Sequence, residues 1–381
     1  MDKAAIIGIG MTKAAGRVKE ANYAELVYPA VVAALEDAGI TIEDIDNIVT
    51  TSNDFWDGRT ISSMATGDVS GGYDRNVSCV EGDGAFGAFY GWCRALSGHY
   101  GTTLVTAYTK GSESVSPYIT NAAFDPIYVR SLGLDMVSGC ALQARRYMNR
   151  YNVSEEQCAV VSSKNHRNAL NNPNAHLQLD LSVEDVMGSR MICEPMKLYD
   201  CSPVSDGAVA VVIANEEKTK KFGKKPAWIK GVSFCMDNYL LGDRDLAECA
   251  ALEKAAKQAY AAAGISNPRK EIDVAEVYDA FSYQELMWTE GLGFCEKGEG
   301  GKLAESGATG KAGDMPVNPS GGLLPSHPVI AGGLIRIAEA VRQIRGEAGD
   351  MQVDKDVGTA LAHGVNGVAG QSHCVWILGK E

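Results

Sequence analysis

One unit of this chain occurs twice. Ala33-Ala-Leu-Glu-Asp-Ala-Gly-Ile40 is followed by a short acidic link and the apolar pair Ile48-Val49. Much later, Ala259-Tyr-Ala-Ala-Ala-Gly-Ile265 is followed by Asn267-Pro268-Arg269 and Val274-Ala-Glu-Val277. In each copy an alanine-rich helix is closed by a glycine, which takes the left-handed conformation at a helix end without steric cost. Each copy also has a strand pattern before it, Ala4–Gly10 in one case and Trp228–Phe234 in the other. Gly39 and Gly264 stand 225 residues apart. A helix–glycine–strand unit repeated once predicts two similar α/β halves, residues 1–225 and 226–381. Two alanine-rich helices can also match by composition alone, so the strand topology has to decide.

The rest of the pattern fits that frame. A helix is expected from Tyr23 to Ala38 with Pro29 inside it, then a strand over Ile45–Thr51. A second helix runs from the glycines near residue 84 to about Leu96, followed by the strand Leu104–Ala107. Residues 110–200 read as a loop or cap region with one helix around Cys140–Tyr151. Ser205-Asp206-Gly207 turns into the strand Ala208–Ile213, and the basic run Lys218–Lys225 reads as a solvated linker. A glycine-rich stretch, Gly298–Gly313, and a last strand, Val375–Leu378, complete the chain. Gly8-x-Gly10 lacks the third glycine of a dinucleotide-binding fingerprint.

Composition excludes several partners. The net charge of −13 argues against nucleic acid or an anionic membrane surface. No run of eighteen apolar residues exists to span a bilayer. The start, Met-Asp-Lys-Ala-Ala-Ile-Ile-Gly-Ile-Gly, reads as a first strand and not as a signal peptide. The ten cysteines are scattered, without a Cys-x-x-Cys pair, so neither a disulfide framework nor a zinc site of this chain's own is expected. A reducing cytoplasm fits these features.

Two stretches concentrate chemistry. Asn318-Pro-Ser-Gly-Gly-Leu-Leu-Pro-Ser-His-Pro-Val-Ile-Ala-Gly-Gly333 places His327 before Pro328, a residue preorganised for the first position of a helix. Ile330, Leu334, Ile337, Val341 and Ile344 then recur at helical spacing, which predicts His327 at a helix N-terminus as a neutral ring. Gly321 and Gly322 mark a close approach or a positive φ. Upstream, Val80-Glu-Gly-Asp-Gly-Ala-Phe-Gly87 puts glycines and the carboxylates Glu81 and Asp83 at a helix mouth, where backbone N–H groups can hold an anion or oxyanion. The aromatic residues Phe86, Phe89, Tyr90 and Trp92 on that helix suit either a bulky acyl group or the core.

These residues carry a resemblance. Glu276-Val-Tyr-Asp-Ala-Phe-Ser282 resembles the Glu-Val-His-Asp-Cys-Phe-Ser motif of thiolases of the sterol-carrier-protein type. Leu292–Gly300 and Asn318–Gly333 follow as they do in that family, with His327-Pro328 matching its Gly-His-Pro and His363 its His-Asn-Leu-Gly turn. Lys164–Asn168 and Pro203–Ala208 look like family segments too. The resemblance spans nearly the whole chain. It implies a five-layered αβαβα fold of two related βαβαβαββ halves plus a loop or cap domain. It also implies chemistry on the carbon–carbon bond β to a coenzyme A (CoA) thioester, with an acyl-CoA as substrate and Gly321, Gly322 and Val365 beside it. A homodimer core and a small zinc-ribbon, OB-fold partner protein are implied as well.

Departures from the family narrow the chemistry. Its nucleophilic cysteine matches Gly84 in one register and Glu81 in another; Cys79 is the nearest thiol, with a buried structural role as the alternative. The family's second cysteine is Ala280 and the histidine of that motif is Tyr278, a donor able to face an oxyanion. Three functions remain. The first is CoA-dependent cleavage or formation of a 3-oxoacyl-CoA, with an aromatic, benzoylsuccinyl-CoA-like acyl group as the specific expectation. There His327 and Tyr278 hold the enolate oxygen, and His363 moves the proton. The nucleophile is Cys79 or the thiol of CoA. The second is retro-aldol cleavage of a β-hydroxyacyl-CoA, which needs no nucleophile. The third is a non-catalytic acyl-CoA-binding subunit. Glu81 or Asp83 is expected to face the site.

Overall fold

The structure, a computed structural model, describes residues 3–222 and 225–381. Nine strands form its main ladder: Ala4–Met11 (β1), Asn47–Ser52 (β2), Asn76–Glu81 (β3), Thr102–Lys110 (β4), Asp206–Asn215 (β5), Ala227–Met236 (β6), Val274–Glu276 (β7), Thr359–Asn366 (β8) and Ser372–Gly379 (β9). Their order is β3-β2-β4-β5-β1-β6-β9-β8-β7. Outwards from the centre, the first half runs β1, β5, β4, β2, β3 and the second β6, β9, β8, β7. In each half the first strand is innermost, the last strand lies beside it, and the second strand lies further out. The repeat seen in the sequence is therefore a repeat of topology. Among the described residues the two half-sheets join through two pairings, Ala5 with Trp228 and Ile6 with Ala227.

Helices fill three layers around these half-sheets. Tyr23–Ala38 covers the outer face of β1 and β5, and Ala250–Ala263 covers β6 and β9. Gly84–Ala95 and Gly332–Arg345 lie between the half-sheets, touching each other and strands of both. This is the five-layered αβαβα thiolase fold. One apolar core unites the central helices with Val105, Val211, Trp376 and Leu378 of the two half-sheets. Glycine sets how closely strand and outer helix approach. A Cβ at Gly8 or Gly10 would lie 2.2 Å from a helix carbonyl, Ala34 or Ala30, and one at Gly231 would lie 2.2 Å from that of Ala259. Gly8-x-Gly10 is thus explained by strand–helix packing.

Helix ends follow the sequence. Asn22 caps Tyr23–Ala38 through a reciprocal bond with Glu25, Pro29 lies inside, and Gly39 closes the helix at φ +67°. Gly264 closes the second copy at φ +72°.

Several elements differ from expectation. Residues 110–200 contain four helices, Ser116–Ala122, Met136–Tyr151, Glu155–Ala169 and Val183–Met187. Their capping residues, Asp135, Ser154 and Ser182, are side-chain oxygens that satisfy free N–H groups at the helix starts. The basic run is mostly helix, Glu216–Phe222, held by its acidic start and basic end; Gly223 and Lys224 lie outside the described residues, as do Met1 and Asp2. The stretch 298–313 includes a short helix, Gly300–Glu305. The helix after His327 begins only at Gly332, since Val329–Ala331 form a 3₁₀ turn first.

Candidate active site

A cavity of about 350 Å³ opens where the ends of β2 and β8 meet the 110–140 segment and the loop before the helix Gly332–Arg345. Its walls are mostly apolar, with Phe55, Trp56, Phe124, Met136 and Phe281 among them. Polar groups on the wall include Asp83, Ser202, Tyr278, Gln284, His327 and Asn366. Large apolar walls with a few placed polar atoms suit an organic ligand.

His327 and Tyr278 form the polar centre. The Tyr278 hydroxyl lies 2.9 Å from His327 Nε2 and 3.2 Å from the Val329 carbonyl oxygen. Ser202 Oγ lies 2.9 Å from His327 Nδ1. The backbone N–H of His327 donates to Ser205 Oγ at 3.1 Å, and Ser205 Oγ lies 2.9 Å from His176 Nδ1. His327 is thus gripped at three atoms. When Tyr278 donates to the Val329 carbonyl, Nε2–H of His327 donates to Tyr278 and Nδ1 accepts from Ser202. When Tyr278 donates to Nε2, Nδ1–H donates to Ser202. Both tautomers are satisfied, so a proton can pass along this line without leaving a buried atom bare.

Burial, aided by the Arg336 charge, pushes His327 down to about 3. Burial also raises Tyr278 well above the ordinary phenol range. Both are neutral at physiological pH. The neutrality of His327 therefore comes from desolvation; the helix N-terminus, five residues away, points elsewhere. It points at Asp83. Gly333 N–H donates to Asp83 Oδ2 at 2.7 Å, and Ala85 N–H donates to Oδ1 at 2.9 Å. Two central helices, Gly84–Ala95 and Gly332–Arg345, thus converge on one carboxyl group that is only 2 % exposed. Burial outweighs these donors and pushes Asp83 up to about 7.

The other expected site residues fall as follows. Val365 lines the cavity. Gly321 and Gly322 do not. They have φ +99° and +68° and pack on Ala169 and the Asp279 carboxyl, where a Cβ would clash at 2.7 and 2.4 Å. His363 does not line the cavity: its Nδ1 accepts from Tyr278 N–H at 3.4 Å and its Nε2 meets His373 Nδ1 at 3.0 Å. Two residues apart, His363 and Val365 share one face of β8; the cavity meets that face only at Val365, and His363 stacks with His373 near Trp288. Glu81 is exposed and outside the cavity, so of the two expected carboxylates Asp83 is the one that lines it. Cys79 is exposed on β3, with Sγ 3.5 Å from Ser52 Oγ, and so is neither buried nor at the helix mouth. Phe86 and Phe89 pack edge-on against Phe234 and take the core alternative.

Gly84 is filled from outside. A Cβ there would lie 2.6 Å from Leu334 Cβ and 3.0 Å from Ala107 Cβ. No side chain can reach the cavity from this position without moving the central helices. Two thiols do line the cavity, Cys140 and Cys201, which the sequence reading did not single out. Burial pushes Cys140 up to about 11 and raises Cys201 further, so neither is an activated thiolate. Ser202 was also missed. Only its distance of 125 residues from His327 separates it from the motif, and sequence carries no signal for that contact. Among the described residues no group of three or more His, Cys, Asp or Glu could hold a metal ion, and no helix is long and apolar enough to cross a membrane.

Comparison with known proteins agrees with this architecture. Residues 234–380 match the family described as thiolase C-terminal domain-like. An acetyl-CoA acetyltransferase of Methanothermobacter thermautotrophicus is 35% identical over 97% of this chain and 98% of its own length. The benzoylsuccinyl-CoA thiolase subunit BbsB of Thauera aromatica is 36% identical over 62% of this chain and 61% of its own. Among solved structures, the Ltp2–ChsH2(DUF35) aldolase superposes with a TM-score of 0.85 at 28% identity, covering 99% of this chain and 98% of that one. The fold, the repeat and a relative of this identity over the full chain lead to one conclusion: this chain belongs to the thiolase family, a family of acyltransferase enzymes.

Proposed function

We propose that this enzyme makes or breaks the carbon–carbon bond β to a CoA thioester through an enolate, without an acyl-cysteine. The observation that carries the reading is the filled space at Gly84, together with the absence of an activated thiol from the cavity wall. His327 Nε2–H and Tyr278 O–H can serve as neutral donors to the thioester oxygen, as negative charge develops on it, once that oxygen displaces their internal acceptors, the Tyr278 oxygen and the Val329 carbonyl. Asp83, poised near neutrality, is the group that takes or returns the proton. In the acyltransferase form, which its relatives' names support, the thiol of CoA attacks a 3-oxoacyl-CoA directly. That step yields a shortened acyl-CoA and an enolate, which is then protonated.

A second form is retro-aldol cleavage of a β-hydroxyacyl-CoA: Asp83 removes the hydroxyl proton, the bond breaks, and the electron pair passes to the enolate. The missing nucleophile favours it, as does the likeness to a protein described as an aldolase. That protein is paired with a DUF35 component, and BbsB is named as a subunit, which supports a small partner protein bound to a homodimeric core of this chain. Any zinc would arrive with that partner. An aromatic acyl group and a cytoplasmic setting belong to the same reading.

The test separates the forms. The enzyme is incubated with a 3-oxoacyl-CoA with and without free CoA, and with a 3-hydroxyacyl-CoA, then quenched in acid and weighed intact. Turnover of the 3-oxo substrate only with free CoA, and no mass gain, supports direct attack. Turnover of the 3-hydroxy substrate alone supports the aldolase. An acyl adduct on any cysteine overturns the proposal.

A further inference from the structure

Among the described residues, Gln284 is the cavity-wall side chain that has a buried polar atom without a partner, and no mechanism above uses it. It lies in the first turn of the helix Ser282–Gly291, is 3 % exposed, and its Oε1 has no hydrogen-bond partner. An unsatisfied buried carbonyl costs stability, so its retention calls for a donor from elsewhere. The neighbouring network fixes which end of the amide is free. Gln143 Nε2 donates to the Ala369 carbonyl at 3.0 Å, which leaves Gln143 Oε1 to accept the Tyr283 hydroxyl proton at 2.8 Å. With its one proton committed, the Tyr283 oxygen can only accept, and Gln284 Nε2 is the donor beside it, at 3.5 Å. Flipping the Gln284 amide would set two acceptors against each other. Its oxygen is therefore the end left for the cavity.

We infer that Gln284 reads a hydroxyl group on the acyl portion of the ligand. This rests on the reading of the cavity as the acyl site. The cavity wall that Gln284 shares includes Phe281, Cys140, Met136 and Phe124, so the fitting ligand is a bulky apolar acyl group with one O–H donor. A neutral hydroxyl suits a neutral amide oxygen in an apolar wall, where an ammonium would lose its hydration without a countercharge. Gln284 is thus a specificity residue, separate from the enolate-holding pair.

The probes are phenylacetyl-CoA and its 2-, 3- and 4-hydroxy derivatives, which bind without carbon–carbon cleavage. Binding to the full chain is measured by calorimetry for the wild type, Gln284→Leu and Gln284→Glu. At least one hydroxy derivative should bind the wild type about tenfold more tightly than the parent. Gln284→Leu should abolish that preference while keeping the parent's affinity; Gln284→Glu, protonated by burial so that its O–H replaces the amide donor toward Tyr283 and its other oxygen still accepts, should retain it. Equal affinity for all four ligands, or a hydroxyl preference that survives Gln284→Leu, overturns the inference while leaving the acyl-site reading intact. Failure of the wild type to bind any of the four would refute the acyl-site reading itself.

Discussion

Gly84→Ala tests whether the space at the family's nucleophile position is closed. In an ordinary helix, glycine to alanine stabilises by about 0.5–1 kcal/mol through the unfolded chain. Here the new Cβ would lie 2.6 Å from Leu334 Cβ, 3.0 Å from Ala107 Cβ and 3.3 Å from the Ile330 carbonyl oxygen. Carbon atoms in contact prefer about 3.5–4.0 Å, so the overlap with Leu334 is close to 1 Å. Neither Cβ can rotate away, because both are fixed by their backbones, and both residues are fully buried or nearly so. The helices Gly84–Ala95 and Gly332–Arg345 must separate, or Leu334 must shift against the sheet. Overpacking of this kind costs about 1–3 kcal/mol, and the helical gain offsets part of it. A net loss of roughly 1–2 kcal/mol is expected, opposite in sign to the usual substitution.

Urea unfolding of wild type, Gly84→Ala and Gly84→Cys measures this. Gly242→Ala serves as control, since a Cβ there meets nothing within 4 Å. It should change stability by no more than about 0.5 kcal/mol. Gly84→Cys should lose at least as much as Gly84→Ala and should gain no acyl mass with an acyl-CoA. A Gly84→Ala protein as stable as wild type, or an acyl adduct on Gly84→Cys, would refute the argument.

His327→Ala removes one of two donors to the developing oxyanion and should lower kcat about 100-fold, with Tyr278→Phe losing somewhat less; rates within a few-fold of wild type would remove both from the mechanism. His363→Ala, which leaves His373 and the Tyr278 N–H without partners away from the cavity, should cost about 1–3 kcal/mol in urea and change kcat by only a few-fold. Asp83→Asn should gain stability relative to wild type as pH rises from 5 to 8. The folded pKa of Asp83 is raised to about 7, so the wild type keeps this carboxyl's full stability only below the ordinary carboxylate range and loses it as pH rises through 7. Thermal melts at several pH values check the sign, and the shift is a few kcal/mol at most.

Much of the fold was legible because it rests on local rules. Gly39 and Gly264 close equivalent helices, and the β1 and β6 strands that precede them are innermost in their half-sheets. The central helical stripe, Leu334, Ile337, Val341 and Ile344, is buried as its spacing requires. The site was legible only where a motif crosses it. His327 and Tyr278 were found together because each lies in a family segment, yet their partners Ser202 and Ser205 come from a third segment that periodicity does not mark. His363 shows the limit from the other side. It matches a family position and shares a strand face with Val365, but the cavity meets that face only at the end of β8, at Val365, while His363 is buried against His373. Where along a strand a cavity begins is set by the segments that pack across its end, here those carrying Phe124, Ser202 and Phe281, a long-range fact.

Asp83 shows why this site can work without a thiol. Two helix N-termini aim N–H groups at one carboxyl, and donors of this kind hold a carboxylate ionised, each helix end contributing about 0.3–1 kcal/mol and up to ~2 when partly buried. Complete burial acts the other way, and for a carboxylate that penalty is several kcal/mol. Burial wins, and the helix-end donors hold the result at about 7. A donor or acceptor of protons is most effective when its pKa lies near the working pH. A carboxyl with the helix ends but no burial would stay ionised; one with burial and no helix ends would stay protonated. Beside it, His327 and Tyr278 are each driven further into neutrality by the same burial, so they can donate hydrogen bonds without exchanging charge. The same desolvation therefore divides the labour, leaving one group free to titrate near neutrality and two held fixed as donors.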